Sequence, residues 1–203
     1  MIINISGTSG SGKSTIARAV MARYEYAEPI YGMAATEQTL FGLVVKPRKR
    51  PDGYACRLAG HRTLRIVGHY EIACGGVDSL MGATFGLDDV YALVRDADTA
   101  GFDVLYEGLI VVSDVRRCAE LHAEGRRVLV LRLTTSLADC LLAVQTRREA
   151  RGNSAPLDPA NTKAKFRVDE LRVGRLRALG VEVREVTRDE ALRDSLLTLG
   201  LPL

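Results

Sequence analysis

The chain has 203 residues, 47% hydrophobic and 26% charged, the mix of an ordinary folded domain, which excludes disordered and fibrous classes. No run approaches the roughly 20 apolar residues that span a bilayer, and Ile2 to Ile5 is far too short for a signal-peptide core. The net charge of +3 is uneven: residues 46–71 carry seven Lys and Arg against two acids, and residues 147–188 carry eleven against six. Such segments suit a polyanionic partner, and equally suit solvated faces of surface helices and hairpins. Four cysteines (Cys56, Cys74, Cys118, Cys140) do not make a disulfide framework, so a reducing cytoplasm is expected.

In chain order, Met1 to Ser6 reads as a buried strand that runs into a glycine loop. Ser14 to about Tyr26 has helical spacing, with Ile16, Ala17, Val20 and Met21 on one face. Residues 29–71 are broken by Pro29, Gly32, Gly42, Pro47, Pro51, Gly53 and Gly60, and read as an irregular insertion holding a hairpin and a strand that ends near His69. A helix from Asp88 to Ala100 precedes a strand from Phe102 to Tyr106. Ser113 is then an N-cap candidate for a helix through Ala123, stopped by Gly125. Val128 to Leu133 is the next strand, and Ser136 opens a long helix toward Gly152. A Pro/Asn-rich loop, a basic helix through Leu179, a strand from Val181 to Val186 and a helix from Asp189 to Leu199 complete the chain. Strands alternating with helices predict an α/β three-layer sandwich around a parallel sheet.

Gly7-Thr8-Ser9-Gly10-Ser11-Gly12-Lys13-Ser14 satisfies G-x-x-x-x-G-K-[ST], the phosphate-binding P-loop. Its glycines allow a tight turn whose successive N–H groups converge on phosphate oxygens, and the helix that follows adds its positive dipole end. Lys13 is placed to reach the β and γ phosphates of ATP, Ser14 to ligate Mg2+, and Thr15 continues the binding segment. Two acids fall at the ends of other strands. Glu107 follows an apolar strand and suits the magnesium shell, directly or through water. Asp78 follows a double glycine and suits proton acceptance from an acceptor hydroxyl. Either acid reads equally as a cap or surface carboxylate, and which of them is the base stays open.

Arg147, Arg148 and Arg151 precede a loop, where a small P-loop kinase carries a lid whose arginines neutralise a transferring phosphoryl group. Lys163, Lys165 and Arg167 follow the same loop and could track a polyanion. Cys56, His61, His69 and Cys74 offer metal-ligating chemistry, but their spacing departs from the common zinc patterns.

The P-loop followed by Gly68-His69-Tyr70-Glu71, Cys74-Gly75-Gly76-Val77-Asp78, Tyr106-Glu107-Gly108, Leu133-Thr134-Thr135-Ser136-Leu137 with Cys140, and Arg147-Arg148-Glu149-Ala150-Arg151-Gly152-Asn153 resembles a bacteriophage P-loop kinase family. Its members are 5-hydroxymethyluracil DNA kinases linked to thymine hypermodification. The resemblance covers residue 1 to about 190. It implies one kinase domain over residues 1–203, with an acceptor region at about 29–71 and a lid at about 145–165. It also implies ATP and Mg2+ as cofactors, DNA carrying modified thymine as acceptor, no membrane, and the cytoplasm of a phage host as location. Kinases of a free nucleotide or small metabolite share every P-loop residue and remain the alternative. A DNA-borne base must also be unstacked to reach the γ-phosphate, and Tyr31, Phe41, Tyr54 and Tyr70 are the stacking candidates. The sequence specifies no oligomeric state.

Overall fold

The computed structural model describes residues 1–39, 42–72, 75–82, 85–153 and 155–203. Its seven-stranded sheet has strands β1 (Ile2–Ser6), β2 (Tyr26–Ile30), β5 (Gly53–Arg57), β6 (Leu64–Val67), β7 (Asp103–Glu107), β8 (Val128–Leu133) and β9 (Glu182–Val186) in the order β2-β5-β6-β7-β1-β8-β9. The five strands from β6 to β9 run parallel, whereas β5 and β2 add an antiparallel edge. A separate two-stranded hairpin joins β3 (Met33–Thr39) to β4 (Gly42–Pro47).

The strand pleat sends alternate side chains of β1 to opposite faces. Ile3 and Ile5 pack with Ile16 and Val20 of α1 (Lys13–Met21) and Leu196 of α6 (Arg188–Thr198). Ile2 instead joins Val90 and Tyr91 of α2 (Leu87–Thr99), Leu121 of α3 (Arg116–Ala123) and Leu176 of α5 (Ala160–Ala178). The sheet is therefore covered on both faces, and the expected three-layer α/β sandwich is present. Helix α4 (Leu137–Glu149) is capped as expected by Ser136, whose Oγ accepts the Asp139 N–H.

Three expectations change. The segment 29–71 is more regular than its glycines and prolines suggest, because β5 and β6 belong to the main sheet and only 31–52 leaves it. The first helix ends at Met21, and the chain reaches the sheet edge as β2 by Tyr26. Ser113 is no cap: it lies in a 3-10 turn (Ile110–Ser113), and the Arg117 N–H is taken by the side chain of Asp114.

Asn4 and Ser6 share one face of β1 and are fully buried, so their polar atoms need partners. Arg172 of α5 supplies them, donating to Asn4 Oδ1 (3.1 Å), Ser6 Oγ (2.9 Å) and the Asp114 carbonyl (3.2 Å). Ser6 donates to Asp169, which also pairs with Arg132 of β8 at 3.1 Å. This network fixes α5 across the ends of β1 and β8. Replacing Arg172 by Ala leaves Asn4 and Ser6 buried with fewer partners, and should lower unfolding free energy by on the order of 3 kcal/mol in urea denaturation.

Candidate active site

Each parallel strand delivers one component at its carboxyl end, where ligands bind in open α/β sheets. β1 ends in the P-loop. Gly10 has a positive φ of 85° and sits where a Cβ would clash with the Cys140 carbonyl of α4, so the loop is braced closely against that helix. Thr135 donates to the Ser11 carbonyl (3.0 Å) and Thr8 to the Thr162 carbonyl (3.4 Å), tying the loop to the segments after β8 and at the start of α5. Gly7, Thr8 and Ser11 are buried and form the loop's floor. Ser9, Gly10, Gly12, Lys13, Ser14 and Thr15 line a cleft of about 300 Å³. Lys13 is buried and folds over the loop, its Nζ donating to the carbonyls of Gly7 (2.7 Å) and Thr8 (2.9 Å).

β7 places Glu107 in the same cleft with only 1% of its surface exposed. Its Oε1 accepts the Ser14 hydroxyl at 2.8 Å. Burial pushes this carboxyl up to about 7, and Asp78 adds to the rise, while Lys13 and the Ser14 hydrogen bond oppose it. The loop after β6 brings Gly76 against Glu107: at φ 85°, a Cβ there would clash with Glu107 Oε1. Gly76 thus makes room for a carboxylate of the protein itself, while Gly75 lies against His69 and Tyr70. Asp78 lines the cleft on its exposed side, its two oxygens accepting the N–H groups of Leu109 (2.6 Å) and Ile110 (2.8 Å). Those hydrogen bonds aim the carboxylate and leave it further acceptor capacity.

Arg147 of α4 lines the cleft; Arg151, at the turn beyond α4, does not. Arg148 turns away to Asn153 and the Ala155 carbonyl. Two lining arginines were missed in the sequence. Arg18 of α1 donates to the carbonyls of Tyr70 (3.2 Å) and Ile72, bracing the loop after β6. Arg188, first residue of α6, packs its Cδ over Gly12, where a Cβ would approach to 2.7 Å. Arg188 lies two residues beyond the end of β9, so the rule that placed Glu107 at a strand end would have found it.

The zinc set is not assembled, since His61 and His69 lie at opposite ends of β6. Cys74 lies outside the described residues, and among those no metal-holding cluster of His, Cys, Asp and Glu occurs. Tyr54 and Tyr70 are buried against each other, with ring centroids 6.2 Å apart, and offer no free stacking face. Phe41 lies outside the described residues, whereas Tyr31 is 48% exposed. The basic segment 46–71 also divides. Lys46, Lys49 and Arg50 lie toward the cleft end of the sheet. Arg57 pairs with Glu28, Arg62 binds Asp103 and the Gly101 carbonyl at the other end, and Arg65 is buried.

No family profile matches the chain. A curated protein, "5-hmdU DNA kinase" of Pseudomonas phage PaMx11, is 39% identical to it over 191 residues, covering 94% of this chain and 92% of that protein. The chain belongs to the 5-hmdU DNA kinase family. The resemblance drawn from the P-loop and its companion motifs is therefore borne out. No described helix is long and apolar enough to cross a membrane.

Because the folded state raises the Glu107 pKa, it favours the protonated carboxyl. That stability is complete below about 4.5, the ordinary glutamate value, and is lost as pH rises through about 7. Between pH 5 and pH 8, without nucleotide, the wild type should therefore lose stability relative to Glu107→Gln by on the order of 2–3 kcal/mol. Urea unfolding of both proteins at the two pH values measures this, and parallel behaviour would contradict the burial of an ionisable Glu107.

Proposed function

We propose that this protein transfers the γ-phosphoryl group of ATP to the hydroxymethyl group of 5-hydroxymethyluracil in DNA. The observation that carries this reading is one cleft holding a P-loop lysine, a hydroxyl–carboxylate pair and a second carboxylate, in a member of the 5-hmdU DNA kinase family. The P-loop N–H groups and the start of α1 bind the phosphates, and Lys13 moves from the Gly7 and Thr8 carbonyls onto the β and γ oxygens. Ser14 and Glu107 fit magnesium: a hydroxyl and a carboxylate 2.8 Å apart at the phosphate end are hard oxygen donors of the kind it takes. Bound there, Mg2+ would neutralise charge on the β and γ oxygens, and it would draw Glu107 into its ionised form.

Asp78, held by two backbone N–H groups, accepts the proton of the attacking hydroxyl. The oxygen–phosphorus bond to the acceptor forms as the bond from the γ-phosphorus to the bridging oxygen breaks, and ADP leaves. Arg147 lies along the cleft to stabilise charge on the transferring group. Beyond the P-loop, a shallow depression lined by Asp139, Leu142, Thr146, Arg147 and Arg188 continues from the cleft and accommodates the nucleoside of ATP.

The test is labelled-phosphate transfer from ATP to DNA containing 5-hydroxymethyluracil. Lys13→Ala should reduce transfer at least 100-fold while circular dichroism stays native, since electrostatic groups of this kind carry about that much. Asp78→Asn should lower kcat far more than it raises the KM for ATP. Equal losses in both parameters would move Asp78 to the nucleotide site and make Glu107 the base.

A further inference from the structure

β2 and β5 are antiparallel neighbours whose paired ends are Ile30 and Gly53, a junction that about two residues can turn. The chain instead leaves the sheet over residues 31–52 and builds a second, separate hairpin. This excursion contributes no strand to the main sheet, and its two strands pair only with each other.

Its root is rigidly tied to the catalytic end. Arg48 donates to the Leu80 carbonyl (2.7 Å), stacks 4.3 Å from the Phe85 ring centroid and pairs with Asp52 at 3.2 Å. Asp52 in turn accepts the Gly68 N–H through its carbonyl (2.9 Å), and its carboxylate closes on Gly32. Gly68 packs on Gly76, and Gly76 packs on Glu107. The path from the hairpin root to the cleft is thus a series of close contacts. Around this anchored root, Lys46, Lys49 and Arg50 are exposed and form no ion pair among the described residues, while Tyr31 and Met33 are 48% and 60% exposed. Arg50 acts electrostatically on His69, in the loop that carries Asp78: burial chiefly lowers the basicity of that imidazole and Arg50 adds to this, while the Glu71 carboxylate at 3.2 Å opposes it.

We propose that the root of this excursion is the docking site for the DNA strand that carries the acceptor: Lys46, Lys49 and Arg50 hold backbone phosphates and Tyr31 stacks on a base beside the one in the cleft. This rests on the reading of DNA as acceptor. Charge complementarity selects the occupant, since three unpaired cations beside an exposed ring match the phosphate-and-stack pattern of single-strand and unstacked-base binding. None of these groups lines the cleft itself, so they suit a polymer that extends beyond it better than a free nucleotide held within it.

The experiment compares the full-length wild type, the K46A/K49A/R50A variant, Y31A, and a control, R23A/R57A/R62A, that removes Arg23, just beyond α1, with Arg57 and Arg62, all at the end of the sheet away from the cleft. Binding of fluorescently labelled DNA containing 5-hydroxymethyluracil is read by anisotropy across a salt series, together with the KM for ATP and phosphate transfer to a free 5-hydroxymethyl nucleotide. The cleft-side triple variant should lose at least tenfold in DNA affinity, and its log–log salt slope should flatten by about two to three, at roughly 0.9 per phosphate contact. Its KM for ATP and its rate on the free nucleotide should stay as in the wild type. Y31A should lose affinity by roughly tenfold, with the salt slope unchanged. An unaltered affinity and slope in K46A/K49A/R50A, or an equal loss in the far-end control, would overturn the docking site. Because the readout is binding, a protein that binds DNA through these residues and phosphorylates none supports the docking site while refuting the kinase reading.

Discussion

The close approach of Gly76 to Glu107 is the contact on which the arrangement of the site depends. It lets the loop after β6 lie directly against the end of β7, and it closes one side of the carboxylate to water. The same carboxylate is held on its other side by Ser14 of the P-loop. Three strand ends are thereby locked together around one buried acid, whose pKa burial raises well above the ordinary glutamate value in the nucleotide-free protein. A side chain at position 76 would separate the loop carrying Asp78 from the phosphate site, and the two carboxylates would no longer share a cleft.

On the other side of β1, the loop is held by polar packing. Arg172 and Asp169 reach from α5 to Asn4, Ser6 and Arg132, and Thr8 reaches to the first turn of the same helix. Helix α5 is therefore coupled to β1, the strand that leads into the P-loop, through hydrogen bonds of limited geometry. Arg147 enters the cleft from α4, whose N-terminal turn braces the P-loop through Thr135 and Cys140. Arg147 and the loop share their supports.

Much of this was legible in the sequence because its signals are local. The largely apolar runs of β1 and β8, the Ser136 cap and the spacing of the P-loop each depend on neighbours a few residues away. The parts that were hidden depend on distant partners. Asn4 and Arg172 are 168 positions apart, and nothing near either residue announces the pair. The strands β2 and β5 contain Pro29 and start at Gly53, residues that read as punctuation but are tolerated at an antiparallel edge. Charge counting grouped Lys46 with Arg62, whereas strand β5, running between them from the cleft end, sets them at opposite ends of the sheet. Tyrosine counting likewise could not separate the buried Tyr54 and Tyr70 from the exposed Tyr31.

The account's central claim is the chemical position of the transferred phosphate. It is tested most directly by incubating 5′-dephosphorylated, end-blocked DNA containing 5-hydroxymethyluracil with the protein and γ-labelled ATP, digesting the DNA to nucleosides, and identifying the labelled species by mass spectrometry. The account predicts label on the hydroxymethyl oxygen of the base, in proportion to the number of modified bases and absent from matched DNA containing thymine. Label confined to sugar hydroxyls, or transfer to a free 5-hydroxymethyl nucleotide with none to the polymer, would contradict it.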